Sequence, residues 1–264
     1  MVNEYTKKSL EGVWIGDCIG NLGQLYYVHD ILAALENGVA KFGSQLNQFS
    51  KQFQYSMQDV NSTLSKQRQE QLGKTKEGSC GNGSAMRIAP LGAFFAGTKN
   101  LNELGELARL SAEVTHCHPE GIAGAVAIAA ASYYVTTLAQ CQTPLDDSNL
   151  LSTVYFFIPD GQVREGIKRA IDMPLNTPIG KAREILGNGT HVTCQDTVPL
   201  CCWLAHKALL AYPAENMYQR SIVETSMAFG DVDTNCAIVG GIVGIVSPPP
   251  EKWVKFCQEM EGVL

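Results

Sequence analysis

The sequence predicts an all-α fold: one compact, orthogonal helical bundle, with residues 1–264 as a single domain. Three observations predict it. Apolar residues recur at three- and four-residue spacing through most of the chain. The alternating Val- and Ile-rich runs of a strand series are missing, and the one β-branched run, Ile238 to Val246, carries its glycines at helix-like spacing. No internal repeat and no long linker divides the chain.

Taken in order, residues 25–55 read as one or two helices on Leu25, Val28, Ile31, Leu32, Leu35, Val39 and Phe42. The Gln- and Ser-rich stretch 44–78 is polar and amphipathic, a surface helical segment or a mobile one. Leu101 to Val114 carries a stripe of Leu101, Leu104, Leu107, Ala108 and Ser111, with Asn100 or Asn102 as its N-cap. A helix is expected over His118–Thr137, with Pro119 in its first turn, where a missing N–H costs nothing. Short helices are expected at 161–172 and 178–187. An apolar helix follows over 195–211, opened by Asp196 or Thr197, with Pro199 in its first turn. Tyr218–Ala228 and Ile238–Val246 complete the set.

Composition narrows the function classes. With 45 % apolar and 17 % charged residues, the chain is no disordered tail. Its net charge is −6, and no Lys/Arg cluster forms a basic stripe, so no nucleic-acid partner is expected. The stretch Gly121 to Gln140 has the length of a membrane span. Its Ala, Gly, Ser and Thr content instead fits a helix buried on most sides, so no membrane partner is expected. The start MVNEYTKKSLEGVW has two lysines without an apolar run behind them, unlike a secretory leader. The nine cysteines are odd in number and form no Cys-x-x-Cys pair. They read as small apolar fillers in a reducing, cytoplasmic setting rather than as disulfides or zinc ligands.

Three segments bunch polar groups with glycine. In Gly78 to Pro90, Gly78, Gly81 and Gly83 precede a helix expected at Ser84. The loop is either a plain turn or an anion site built from exposed backbone N–H groups, with Arg87 adding charge or pairing with an acid. In Ser111 to Gly124, His116 and His118 are two residues apart and would face different sides of a helix. Each is a ligand-facing or a capping histidine. In Phe229 to Gly241, Asp231, Asp233 and Thr234 stand at a helix start. They are hard oxygen ligands suited to Mg²⁺, Mn²⁺ or Ca²⁺, or else an ordinary N-cap with acids at the positive end of a helix.

Together GNGSAMRIAPLGAFFAG, SAEVTHCHPEGIAGAVAIAAA, LGNGTHVTCQDTVPLCCWLAH and GDVDTNCAIVGGIVG resemble the ADP-ribosylglycohydrolases, in order and in spacing. WIGDCIG resembles that family's Gly-Asp-x-x-Gly opening. The resemblance covers Val13 to Val246. It implies an all-helical fold with two magnesium or manganese ions in a cleft. It also implies hydrolysis of the glycosidic bond between ADP-ribose and an amino-acid side chain or a related group. The partner would be an ADP-ribosylated protein or a small ADP-ribosyl compound, acted on by a monomer. Asp231 and Asp233 would be the catalytic carboxylates and, with Thr234, metal ligands. Asn82, Gly83, Ser84, Ala85, Met86 and His116 would hold the diphosphate and ribose.

One family feature is missing. No Thr-Asp-Asp-Thr run follows the opening motif, and Asn21 to Gln24 stand where it would fall. Asp17 and Asp30 are the acids left to complete the donor set. Two 2+ ions ~4 Å apart repel by about 16 kcal/mol at an effective dielectric near 20. Two aspartates and a threonine therefore suit one ion rather than two. The sequence leaves two readings: a metal-dependent ADP-ribosyl hydrolase, or a degenerate member that binds ADP-ribose without turnover.

Overall fold

The computed structural model describes residues 3–25, 78–96, 101–113, 115–144 and 149–261. Among them are twelve helices, no strand, and one isolated bridge between Gly81 and Thr193. In chain order these are α1 (Glu4–Leu25), α2 (Gly83–Met86), α3 (Ala89–Phe95), α4 (Leu101–Glu113), α5 (Pro119–Cys141) and α6 (Asn149–Phe157). They continue with α7 (Gln162–Ile171), α8 (Ile179–Leu186), α9 (Cys194–Ala211), α10 (Met217–Ser226), α11 (Val232–Val243) and α12 (Glu251–Glu261). The helices expected over 25–55, the segment 44–78 and Asp30 lie outside the described residues.

α5 is the centre of the bundle. Its Ala-rich middle is buried on nearly every side, and α3, α4, α6, α9 and α11 pack around it. Small side chains let those helices come close, and the larger buried residues, Trp203, Leu204, Ile128 and Leu200 among them, fill the space between. Of the helices with described residues, α5 alone is long and apolar enough to cross a membrane, and 67 % of its most apolar window is buried in this packing.

α1 lies along α11 on a seam of glycines. Gly12, Gly16 and Gly20 face α11 at four-residue spacing, and a Cβ on Gly12 or Gly16 would run into the carbonyls of Gly240 or Cys236. A Cβ on Gly20 would come within 2.6 Å of the Cα of Asp233. The close approach therefore depends on having no side chain at these positions, and it brings Asp17 of α1 to the first turn of α11.

Some boundaries differ from expectation. α9 begins at Cys194, ahead of Asp196 and Thr197, so Pro199 sits inside the helix. Its ring packs against Gly166 of α7. α11 begins at Val232, six residues ahead of the apolar run that marked it, because its first turn is polar. The helix after the Gly-rich loop is a single turn, α2. The nine cysteines are free thiols; five are buried, while Cys117 and Cys141 are exposed rather than fillers. Burial pushes the Cys194, Cys202 and Cys236 thiols up to about 12.

Candidate functional site

Three loops meet at the N-terminal end of α11: the Gly-rich loop 78–83, the loop 187–193 ahead of α9, and residues 229–231. Backbone bonds tie them together. Asn82 N–H donates to Val192 O at 3.2 Å, Cys194 N–H to Cys80 O at 2.9 Å, and Asp231 N–H to Asn188 O at 3.2 Å. The Asn235 side chain adds a bond of 2.7 Å to Asn188 O. Two bulky residues here, Val192 and Phe229, take left-handed backbone (φ 55° and 58°), a conformation such residues rarely adopt.

Asp231 occupies the N-cap of α11, yet its side chain makes no capping bond. The carboxylate turns to the Gly-rich loop, where Asp231 Oδ2 accepts from Asn82 Nδ2 at 2.6 Å. The same Nδ2 donates to Thr197 Oγ1 of α9 at 3.0 Å. The plain-cap reading of Asp231 is thus set aside by the direction of its side chain. Burial, a bond to Asp233 and that residue's charge raise the Asp231 carboxyl to about 7, against the opposing bonds from Asn82 and Thr234. Burial and the charge of Asp233 likewise raise Asp17. Asp17, Asp231 and Asp233 therefore form one partly desolvated patch of negative charge, with Thr234 beside it.

No three His, Cys, Asp or Glu side chains among the described residues form a ready metal cage. Magnesium does not need one. It keeps several waters and is commonly held through one or two carboxylates plus substrate oxygens. Asp231 and Asp233, with the Thr234 hydroxyl, fit one hard divalent cation on that basis. Among the described residues, Asp17 is the further carboxylate beside this pair.

His116 lies against the Gly-rich loop. A Cβ on Gly81 or Gly83 would approach its imidazole to 3.2 or 3.3 Å, so the glycines leave room for the ring. Thr115 Oγ1 holds His116 Nδ1 at 2.7 Å. Among the described residues Arg87 pairs with no acid. Its guanidinium donates to Ser111 O at 2.9 Å, to Ser111 Oγ at 3.4 Å and to Thr115 Oγ1 at 3.4 Å, closing the end of α4 and bracing the His116 support.

The anion-site reading of the loop needs adjustment. The one-turn α2 has little dipole, and the Ala85 and Met86 N–H groups already donate to Asn82 O. Gly81 N–H donates to Ser79 Oγ at 3.1 Å. The Gly83 and Ser84 amides take no part in these bonds. Ala85 is fully buried, and the Ser84 hydroxyl donates to Gly121 O at 2.8 Å, so both work from behind the loop. Met86 Sδ lies 3.8 Å from Thr234 Oγ1, which puts α2 directly against the Asp-x-Asp-Thr turn.

His118 resolves to a cap: its Nδ1 accepts from Glu120 N–H at 3.1 Å at the start of α5. Glu120, unmarked in the sequence, caps a different helix. Its carboxylate accepts from Gln162 and Val163 N–H at 2.6 and 2.8 Å, at the start of α7, where Gly161 offers no side chain. A cavity of about 380 Å³ beside that cap is lined by Glu120, Gln162, Glu165, Arg169 and Gln195, apart from the Asp231 patch. Two more residues of the site had no sequence signal for these roles, Asn188 as a brace and Thr197 as a partner of Asn82, while Asp17, named from the sequence as a spare acid, lies beside Asp233.

A sequence profile of the ADP-ribosylglycohydrolases matches residues 24–263. The chain belongs to the ADP-ribosylglycohydrolase family. The all-helical fold agrees with that membership. Its relatives include a protein of Archaeoglobus fulgidus described as uncharacterized, 31 % identical over 68 % of this chain and 54 % of the relative. Mouse ADP-ribosylhydrolase ARH3 is 23 % identical over 70 % of this chain and 55 % of its own length. The human ADP-ribosylhydrolase ARH3 is 24 % identical over 70 % and 56 %. This family member spans about half the length of the curated relatives it matches.

Proposed function

We propose that the chain hydrolyses an ADP-ribosyl glycosidic bond, with Asp231, Asp233 and Thr234 holding one magnesium or manganese ion and the Gly-rich loop holding the sugar diphosphate. The observation that carries this reading is the 2.6 Å bond from Asn82 to Asp231. The bond joins the Gly-rich loop to the Asp-x-Asp-Thr turn, which supports one ligand touching both. The relatives named ADP-ribosylhydrolase support the substrate class.

The roles follow from the chemistry of each group. The Gly83 and Ser84 amides offer donors to a phosphate, at a point where glycine allows close approach. The Thr115 hydroxyl, accepting from Arg87, has its own hydrogen to give to His116 Nδ1; in the tautomer that accepts it, the ring proton is on Nε2, on the side of the loop. His116 then donates to an oxygen of the diphosphate or ribose. A bound divalent cation supplies ribose-hydroxyl orientation and a more acidic water. Asp231 and Asp233, in a desolvated pair, hold negative charge that such a cation offsets.

The test is release of free ADP-ribose from an arginine- or serine-linked ADP-ribosyl peptide, with excess Mg²⁺ and again with EDTA. Release that stops in EDTA is the expected result; no release at micromolar protein contradicts the reading. A second reading rests on the missing Thr-Asp-Asp-Thr run. The chain would then bind ADP-ribose without turnover. Calorimetry separates the two, because binding indifferent to Mg²⁺ and to Asp231→Ala belongs to the second.

A further inference from the structure

We propose that the Asn82 side chain is a positioning group that aims Asp231 at the cation, and not a contact to the sugar diphosphate. The proposal deepens the reading above and rests on its metal half. An amide nitrogen has two hydrogens. In Asn82 they go to Thr197 Oγ1 at 3.0 Å and to Asp231 Oδ2 at 2.6 Å. The residue is 3 % exposed. Its backbone N–H is bonded to Val192, and its carbonyl receives Ala85 and Met86. The one polar atom left, Oδ1, is an acceptor, which offers nothing to a phosphate, and at 3 % exposure the residue has little surface to meet a sugar hydroxyl.

Asp231 needs such a hold because a competing place lies close at hand. It stands at the N-cap of α11, where an aspartate normally turns inward to accept a backbone N–H of its own helix. Its side chain makes no such bond here. Asn82 engages one carboxylate oxygen from the opposite side and keeps the group facing the patch shared with Asp233. Thr197 accepts the other hydrogen of the same Nδ2 and ties the amide to α9, so Asn82 cannot swing with the carboxylate. Without Asn82, Asp231 falls back into the capping geometry. That fall supplies the helix with a cap while removing a cation ligand, so fold stability and metal affinity respond differently.

The experiment uses the full chain, with Mn²⁺ alone as one probe (free ion counted by electron paramagnetic resonance) and ADP-ribose in EDTA as the other (calorimetry). Asn82→Ala is expected to weaken Mn²⁺ binding by about tenfold to a hundredfold, the usual effect of losing a partner that orients a ligand. ADP-ribose affinity in EDTA stays within about twofold, since the loop amides remain. Thr197→Val, which nearly preserves shape, gives a smaller loss of Mn²⁺ affinity. The double variant is no worse than Asn82→Ala, because both act through one chain of bonds. Loss of ADP-ribose affinity with Mn²⁺ binding unchanged overturns the proposal, as does an equal loss of both. If Asn82→Ala fails to fold, Thr197→Val decides: unchanged Mn²⁺ affinity overturns the proposal and a selective loss supports it. Wild-type protein that binds Mn²⁺ but not ADP-ribose sinks the functional reading while the Mn²⁺ comparison still judges Asn82; wild-type protein that binds no Mn²⁺ overturns the Asn82 role.

Discussion

Asp231 is where helix chemistry and site chemistry compete. Its residue position is that of a cap, but its side chain makes no cap bond and accepts from Asn82 instead. Asp231→Ala is expected to cut ADP-ribose release by at least about a hundredfold, because a bound cation supplies several kcal/mol of charge stabilisation. Rates with saturating Mg²⁺ check this, and activity within tenfold of wild type contradicts it. The pH behaviour of the metal-free protein follows from the same residue. Burial and Asp233 raise the Asp231 carboxyl to about 7. An unfolded aspartate titrates near about 3.9. A carboxyl raised on folding favours the folded state while protonated. Its contribution is complete below about pH 4 and is lost as pH rises through about 7. Metal-free protein should therefore lose thermal stability between about pH 4 and about pH 7. Asp231→Asn should flatten that decline, as followed by circular dichroism melts in EDTA. A decline of equal slope in the variant would assign it to other groups.

At the scale of elements, α1 and α11 illustrate why some structure is hidden in a sequence. Glycine weakens an isolated helix. A segment with Gly12, Gly16, Gly20 and Gly23 thus gives little local sign of the helix Glu4–Leu25. The glycines make sense only against α11, whose carbonyls they admit. Gly16→Val places a side chain where the Cys236 carbonyl lies and is expected to cost about 1–3 kcal/mol or more. Chemical denaturation measures it, and a loss under about 0.5 kcal/mol, the ordinary surface range, would contradict the seam. Glu120 is the second example. Its spacing within α5 says nothing about α7, which it caps from another helix. Glu120→Ala leaves two N–H groups at the start of α7 without acceptors and is expected to cost about 1–2 kcal/mol. Amide exchange localised to residues 162–165 checks the assignment. By contrast α4, α7 and α8 were legible to within a few residues because their apolar stripes are regular, and α5 because its long run of small uncharged residues reads as a helix buried on most sides.

For the whole molecule, the sequence made the site legible as separate pieces. Gly-rich loop, His116 and Asp-x-Asp-Thr were each visible because glycine, histidine and paired carboxylates have few roles in a helical protein. Their convergence was implied by the family resemblance alone and not by the residues themselves, since it depends on Asn188, Thr197 and Asn82 linking three loops far apart in sequence. Nor did His118 declare itself a cap until the fold put its ring over the start of α5. The missing acidic run remains the defining departure from the family pattern, and it makes the number of ions the central question. Crystals grown with Mn²⁺ and ADP-ribose answer it most directly, through anomalous scattering. The account predicts a single manganese peak bonded by Asp231 and Asp233, with the diphosphate against Gly83 and His116. Two equal peaks, a peak away from these aspartates, or a diphosphate bound elsewhere would contradict it.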